Sequence, residues 1–272
     1  MFGELLLQAL DRKQWLPSQL AQSLGISVRQ LAGWLAGQRD GLDADQLSRL
    51  AVALDIDLAT LSAAAGRPGV SATPRPLVVG ISGASCSGKS WLAEQIHAQL
   101  EGRSQIVDLD GYYRETAEVA RLEHGHDNPA SIDAHLALAD LARLKSGQDA
   151  NLPVYDYEAQ RVVGYRRCEA RPLILVEGLF VFADPELRAA FDIKIWVEAG
   201  EDLRWSRRID RDTSRRQLKV EEIEARYERD VLPGYRKYIR PLREHADIIV
   251  CNNGHDVTVI PLIAKLLGGQ NL

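Results

Sequence analysis

Eight residues restrict what this chain can fold into more than any others: Gly83-Ala84-Ser85-Cys86-Ser87-Gly88-Lys89-Ser90, placed directly after the apolar run "PLVVGIS". Their spacing, G-x-x-x-x-G-K-S/T, is that of a phosphate-binding loop. The glycines let the backbone turn so that successive N–H groups face phosphate oxygens, and the helix that follows adds its positive N-terminal end. Lys89 is expected to reach the β- and γ-phosphates of ATP, and Ser90 to offer its hydroxyl to Mg²⁺. A glycine-rich turn without function is the plainer alternative. The loop nevertheless has the context that nucleotide binding requires, a strand before it and a helix after it. Cys86 reads as a small side chain at a variable loop position, with a redox brake on ATP binding as the sharper alternative.

Around the loop, short apolar runs alternate with helical patterns. Strands are predicted at 77–82, 105–109, 173–176, 192–197 and 246–250, each apolar on consecutive positions, as suits strands buried on both faces of a parallel sheet. Helices are predicted at about 89–101, 133–146, 201–211, 220–230 and 256–267. This is the pattern of an α/β, doubly wound parallel-sheet domain over 77–272. Residues 66–76, "GRPGVSATPRP", hold three prolines and two glycines and read as a linker. Before it, residues 1–65 show only helical periodicity, so a small all-α domain precedes the α/β domain.

Two acidic positions lie where such sheets bind ligands, at the C-terminal ends of strands. "IVDLDGYY" places Asp108 and Asp110 there, two apart and so on one side of an extended chain. One of them can accept the proton of an attacking hydroxyl. Asp110 is the expected base, and Asp108 is structural or near the metal. "LILVEGLF" ends another strand in Glu177, expected to hold Mg²⁺ directly or through water. Further on, "RWSRRIDRDTSRR" at 204–216 carries six arginines against two aspartates. Guanidinium forks bind phosphates bidentately and neutralise the charge of a transferring phosphoryl group. An exposed basic helix is the plainer alternative, and no aromatic residues recur through it as an RNA-binding surface requires.

Together "GISGASCSGKS", "DLDGYY", "DNPASID", "PVYDY", "ILVEGLF", "RRIDRD" and "PGYRKYIRPLREHADIIV" resemble the uridine kinase–phosphoribulokinase family over most of residues 77–267. The resemblance implies ATP-dependent phosphorylation of a small molecule bearing a ribose-like diol. It implies that Asp110 is the catalytic aspartate, beside the aromatic pair that includes Tyr113, and that Asp127 binds ribose hydroxyls. It further implies that Tyr155 packs on the nucleoside and that Arg208 and Arg211 belong to an arginine-rich lid. Three positions depart from the family pattern. Gln160 stands where pyrimidine kinases usually place a histidine, Leu218 replaces a lid arginine, and "DNP" replaces the commoner "DHP". Phosphate chemistry survives these changes; recognition of uracil or cytosine is what they put in doubt.

In the front segment, "LPSQLAQSLGISVRQLAGWLAGQ" at 16–38 is a helix, a Gly25 turn and a second helix capped by Ser27. The pattern resembles the lambda-repressor and Cro type of helix-turn-helix domain. That resemblance implies a recognition helix near 27–36, with Ser27, Arg29 and Gln30 as DNA-contacting candidates. Residues 1–68 carry six basic and seven acidic side chains, so a monomer would hold DNA weakly, and a structural or protein-binding module is the alternative.

The whole chain of 272 residues carries a net charge of −5, which excludes a generic nucleic-acid binder. Its three cysteines match no zinc or disulfide spacing, and no stretch is apolar for the ~20 residues that a membrane span needs. A cytoplasmic homo-oligomer with reduced thiols is the expectation. Two functions compete: an ATP- and Mg²⁺-dependent kinase, and a transcriptional regulator whose P-loop domain senses a nucleotide or metabolite. The apparently complete set Lys89, Ser90, Asp110 and Glu177 favours the kinase.

Overall fold

A computed structural model describes residues 2–66, 76–100, 102–254 and 259–268. They belong to two compact units, Met1–Pro74 and Arg75–Leu272. Most of the expected linker, 67–75, lies outside the described residues, as do 256–258 of the expected last helix.

The first unit contains five helices: α1 (Phe2–Lys13), α2 (Pro17–Leu24), α3 (Val28–Leu35), α4 (Ala44–Leu54) and α5 (Leu58–Ala64). The apolar face around the Gly25 turn is the core: Leu20, Ala21, Leu24, Leu31 and Trp34 are buried, and Ile26 and Leu35 pack against them. Ser27 caps α3 by accepting a hydrogen bond from the Gln30 backbone N–H at 3.1 Å. Ser27 and Arg29 are exposed; Gln30 is half-buried, which corrects the expectation that it lies open on the helix surface.

In the second unit, strands β1 (Leu77–Gly83), β2 (Ser104–Asp108), β5 (Leu173–Glu177), β6 (Ile193–Glu198) and β7 (Ile248–Cys251) form one parallel sheet in the order β2-β5-β1-β6-β7. Every residue of β5 is buried. Alternate residues of the strands feed two cores, because successive side chains leave opposite faces. Val78, Ile174, Val176 and Trp196 pack with Leu141 and Leu144 of the helix Ala134–Lys145. Val79, Leu175, Ile195 and Val197 pack with Leu92 and Ile96 of α6 (Lys89–Gln99) and with Ile260 and Ile263 of the last helix. Truncating one such side chain to alanine costs roughly 2–5 kcal/mol. The predicted doubly wound sheet is therefore present, and its order leaves the loop after central β1 flanked by the ends of β5 and β6.

Three features differ from expectation. The strand at 105–109 ends at Asp108, and Leu109–Tyr112 is a 3-10 turn capped by Asp108, which accepts the Asp110 N–H at 2.8 Å. Asp108 and Asp110 therefore do not lie side by side on extended chain. An antiparallel hairpin, β3 (Ala150–Asp156) and β4 (Arg161–Cys168), stands apart from the sheet. The arginine-rich helix runs five residues past its predicted end, spanning Glu201–Arg216. The next helix, Val220–Arg226, continues through π-helical turns at Tyr227–Val231 and Tyr235–Ile239 to a 3-10 turn, Arg240–His245.

Candidate active site

The loop after β1 is a cradle that only glycine permits at its start. Gly83 has φ +154°, and a Cβ there would lie 2.4 Å from the Val197 carbonyl oxygen and 2.8 Å from Ser87 Oγ. Arg207 donates to the Cys86 and Ser87 carbonyl oxygens, each at 3.3 Å, and Asn252 donates to the Ser87 carbonyl at 2.9 Å. These bonds fix the Cys86 and Ser87 carbonyls, and the Ser87 N–H is itself bonded to the Ala84 carbonyl at 3.1 Å, so the loop is held in one conformation beside the cleft. Lys89 is buried and donates to the Ala84 carbonyl at 3.1 Å. Burial lowers the proton affinity of its ammonium, while Glu177 and Asp110 oppose that shift. Cys86 is half-buried, at φ +64°, with Sγ 3.8 Å from Ser85 Oγ.

Three carboxylates converge in front of the loop. Ser90 donates to Glu177 Oε1 at 2.8 Å. Burial and the charge of Asp110 raise the Glu177 carboxyl, against Lys89 and the Ser90 bond. Burial of its carboxylate, then the charges of Asp110 and Glu177, push Asp108 up to about 8, although its outer surface stays exposed and solvent screens part of the effect. Asp110 accepts the Tyr157 hydroxyl at 2.5 Å. Asp110, Glu177, Lys89, Ser90 and Arg211 all line one cleft of about 710 Å³.

These groups fit ATP with Mg²⁺. Mg²⁺ keeps most of its waters and takes one or two protein oxygens beside the substrate phosphates, and Ser90 and Glu177 offer such oxygens. No group of three or more His, Cys, Asp or Glu side chains forms a ready-made metal cage among the described residues. The crowding of Asp108, Asp110 and Glu177 is what a cation would relieve.

The basic helix Glu201–Arg216 sends Arg207 and Arg211 to the first cleft and Arg204 and Arg208 to a small neighbouring pocket. Buried Asp212 pairs with Arg208 at 3.4 Å, Arg211 at 2.8 Å and Arg216 at 3.6 Å. Burial pushes the Asp212 carboxyl up, but the three arginines outweigh it and hold it below the usual range. Arg211 lines the phosphate cleft. Arg208 is buried, donates to Ser85 Oγ at 3.3 Å, and shares a small pocket with Asp127, Tyr227 and Tyr235. Burial and the neighbouring Arg211 charge lower the proton affinity of Arg208.

Asp127 is 6% exposed. It sits in a short turn pressed against the helical run that contains Gly234, where a Cβ would come within 2.7 Å of the Asp127 carbonyl oxygen and 2.8 Å of its Cβ. Among the described residues, nothing donates a hydrogen bond to its carboxylate. Burial raises its proton affinity, against the charges of Arg208 and Arg226.

A second cavity, about 560 Å³, opens beside it. Its walls include Tyr155, Tyr157 and Gln160 from the hairpin, His126, Leu218 and Arg226. Tyr155 is buried among aromatic rings, 5.5 Å from Tyr113 and 5.4 Å from Tyr157 between centroids. The His126 ring nitrogen Nε2 lies 3.2 Å from the Tyr155 hydroxyl oxygen. Burial and the Arg226 charge keep His126 less basic than usual. The Tyr157–Asp110 bond joins the two cavities.

The expected site residues thus fall into two neighbouring groups: the loop, Asp110, Glu177 and Arg211 at the first cleft; Tyr155 and Gln160 at the second cavity with Asp127 and Arg208 at the small pocket, whereas Tyr113, expected to bind substrate, is buried in the core behind Tyr155 and lines neither. Sequence reasoning missed Asp212, Asn252, His126, Tyr157 and Arg226. The β-branched and aromatic residues of "NLPVYDY" and "RVVGYR" around the polar turn "EAQ" were the signal available for the hairpin that carries Tyr157. The others are contacts made by folding, with no local pattern.

A sequence model of the phosphoribulokinase / uridine kinase family matches residues 78–258. A uridine kinase of Chloroflexus aurantiacus is 34% identical over 194 residues, covering 69% of this chain and 92% of its own length. A uridine kinase of Lactiplantibacillus plantarum is 33% identical over 199 residues, covering 70% of this chain and 93% of its own. In fold, the chain is similar to the crystal structure of a proposed fructose transport system kinase from Silicibacter sp. TM1040, with a TM-score of 0.56, 20% identity, and coverage of 77% of this chain and 100% of that one.

Proposed function

The chain belongs to the phosphoribulokinase / uridine kinase family, and on that premise we propose that it transfers the γ-phosphate of ATP to a hydroxyl of a small molecule bearing a ribose-like cis-diol. The observation that carries the acceptor class is Asp127. The Asp127 residue is only 6% exposed and lines the small pocket with Arg208, so its carboxylate can be reached there, and two vicinal hydroxyls can both donate to it.

Asp110 accepts the proton of the attacking hydroxyl, in the place where the Tyr157 hydroxyl donates now. The attacking oxygen bonds to the γ-phosphorus, the bond to the bridging oxygen breaks, and ADP leaves. Lys89 and Arg211 face the charge that develops, from fixed positions that need no reorganisation. Ser90 and Glu177 would hold Mg²⁺, which would neutralise the phosphate oxygens. Tyr155 gives a flat wall for whatever the diol carries.

The test is ATP consumption by the purified chain across nucleosides, sugars and polyols. Acceptor-dependent ADP release that vanishes in Lys89→Ala supports the proposal. Nucleotide binding with no turnover on any acceptor favours a sensor instead. A chain of residues 75–272 is expected to keep the turnover, because the family match begins at 78 and this unit has its own core.

For the first unit we infer DNA binding, supported by the Ser27-capped α3 with Arg29 exposed on its first turn. A homo-oligomer would bring two such helices to one duplex. Selection of fragments from a random duplex pool tests it: enrichment that Arg29→Ala abolishes supports it, and no enrichment leaves a protein-binding module.

A further inference from the structure

Arg226 is a cation in the acceptor cavity with no counter-ion of its own. Among the described residues its guanidinium forms no ion pair and no hydrogen bond, although the residue is half-buried and acts electrostatically on both His126 and Asp127. Its neighbour on the cavity wall is different. Arg216 is already occupied, paired with Asp212 and placed 5.2 Å over the Tyr157 ring. Asp127 is close enough to feel Arg226 but is shared with Arg208. The wall's other carboxylates are at the hairpin tip. Asp156 is held by the Glu158 and Ala159 backbone N–H groups at 2.7 and 2.9 Å, and Glu158 is exposed.

A ligand filling this cavity removes water from Arg226. A neutral ligand leaves the guanidinium to lose hydration for at most an ordinary hydrogen bond. An acidic group replaces that hydration with a charge-assisted, two-pronged bond, about twice as strong as a neutral one. The walls suit such a molecule: Tyr155 and Tyr157 take its flat or apolar body, while Asp127, next in the chain to the wall residue His126, faces the adjoining small pocket. We infer that the acceptor carries an anionic group, a carboxylate or a phosphate, and that Arg226 is the residue that selects for it. The inference rests on the acceptor site proposed above and narrows its substrate class from neutral diols to hydroxy acids or sugar phosphates.

Matched pairs that differ only in the acidic group test it: glycerol against glycerate and uridine against its 5-carboxylic acid for the carboxylate arm, ribose against ribose 5-phosphate for the phosphate arm. Each is assayed for ADP release with wild type and Arg226→Gln, which keeps a polar hydrogen-bonding side chain but is shorter and removes the charge. The expected result is that in at least one pair the acid exceeds its twin by tenfold or more in kcat/KM. Arg226→Gln should shrink that ratio by about tenfold to a hundredfold, mainly through KM, the range for one charge-assisted bond. The arm in which this happens identifies carboxylate or phosphate. Turnover of neutral members with acids equal or worse overturns the inference and leaves the kinase assignment standing. An acid preference that Arg226→Gln leaves intact overturns the role of Arg226. ATP consumption with no member of any pair overturns both this inference and the acceptor site it rests on.

Discussion

On the proposed donor side of the cleft, eight consecutive residues, from Gly83 at the end of β1 to Ser90 in the first turn of α6, form the loop read as the phosphate site. On the acceptor side, Asp127 comes from a turn, Tyr155 and Tyr157 from the hairpin, and Arg208 and Arg226 from two helices. Phosphate looks the same in every substrate, so a contiguous and mostly backbone-built site serves it. The acceptor differs from one enzyme to the next, so in the proposed function it is read by side chains that only the tertiary fold brings together. Changes on the donor side should therefore abolish turnover for every acceptor, whereas changes on the acceptor side should alter which acceptor is used.

The largest effect is expected from Lys89→Ala. Removing the one buried cation of the loop should lower kcat by roughly 10³-fold with every acceptor, within the range for a lost electrostatic stabiliser. Unchanged circular dichroism would show that the fold is intact; near-normal kcat would break the donor-side account. Asp110→Asn comes next, with kcat expected to fall by about 10² or more and the ATP dissociation constant little changed. Asp108→Asn should have the smaller effect, since Asp108 spends one oxygen capping the turn that carries Asp110. The reverse ranking in kcat would exchange their roles.

A smaller effect sharpens the acceptor side through stability. Burial raises the folded pKa of Asp127 above its unfolded value near 3.8, so the ionised carboxylate costs stability at neutral and higher pH. That cost fades as pH falls through the folded value, and is gone below the unfolded one. Without ligand, Asp127→Asn should therefore melt a few degrees higher than wild type at pH 8, roughly the effect of 1 kcal/mol. The gap should close toward pH 4. A variant less stable than wild type at pH 8 would show that Arg208 and Arg226 already compensate the charge fully.

Legibility followed the same division. The loop, the five parallel strands and the strand-end acids were readable because each depends on local pattern: spacing, consecutive apolar residues, an acid after an apolar run. The roles of Asp127 and Tyr155 came from family resemblance alone. Nothing local marks Asp127 as the residue that Gly234 packs against, or Asp212 as the anchor of three arginines. The paired reading of Asp108 and Asp110 failed because a side-chain cap at Asp108 ended the strand one residue early and turned the chain into a 3-10 helix. The hairpin was overlooked because one of its faces is exposed: Val163 and Tyr165 point outward, so its strands lack the continuous apolar run of the buried sheet.

The division between a backbone-built donor site and a side-chain-built acceptor site is tested most directly by one comparison of kcat/KM. A cis-diol acceptor and its deoxy twin are measured with wild type and with Asp127→Asn, alongside KM for ATP in each case. With wild type, the deoxy twin should be poorer by about tenfold or more, because a buried carboxylate is left without its donors. With Asp127→Asn the two acceptors should become nearly equal, and KM for ATP should stay the same in all four measurements. Equal kcat/KM for the diol and its deoxy twin with wild type, or a KM for ATP that moves with Asp127, would contradict it.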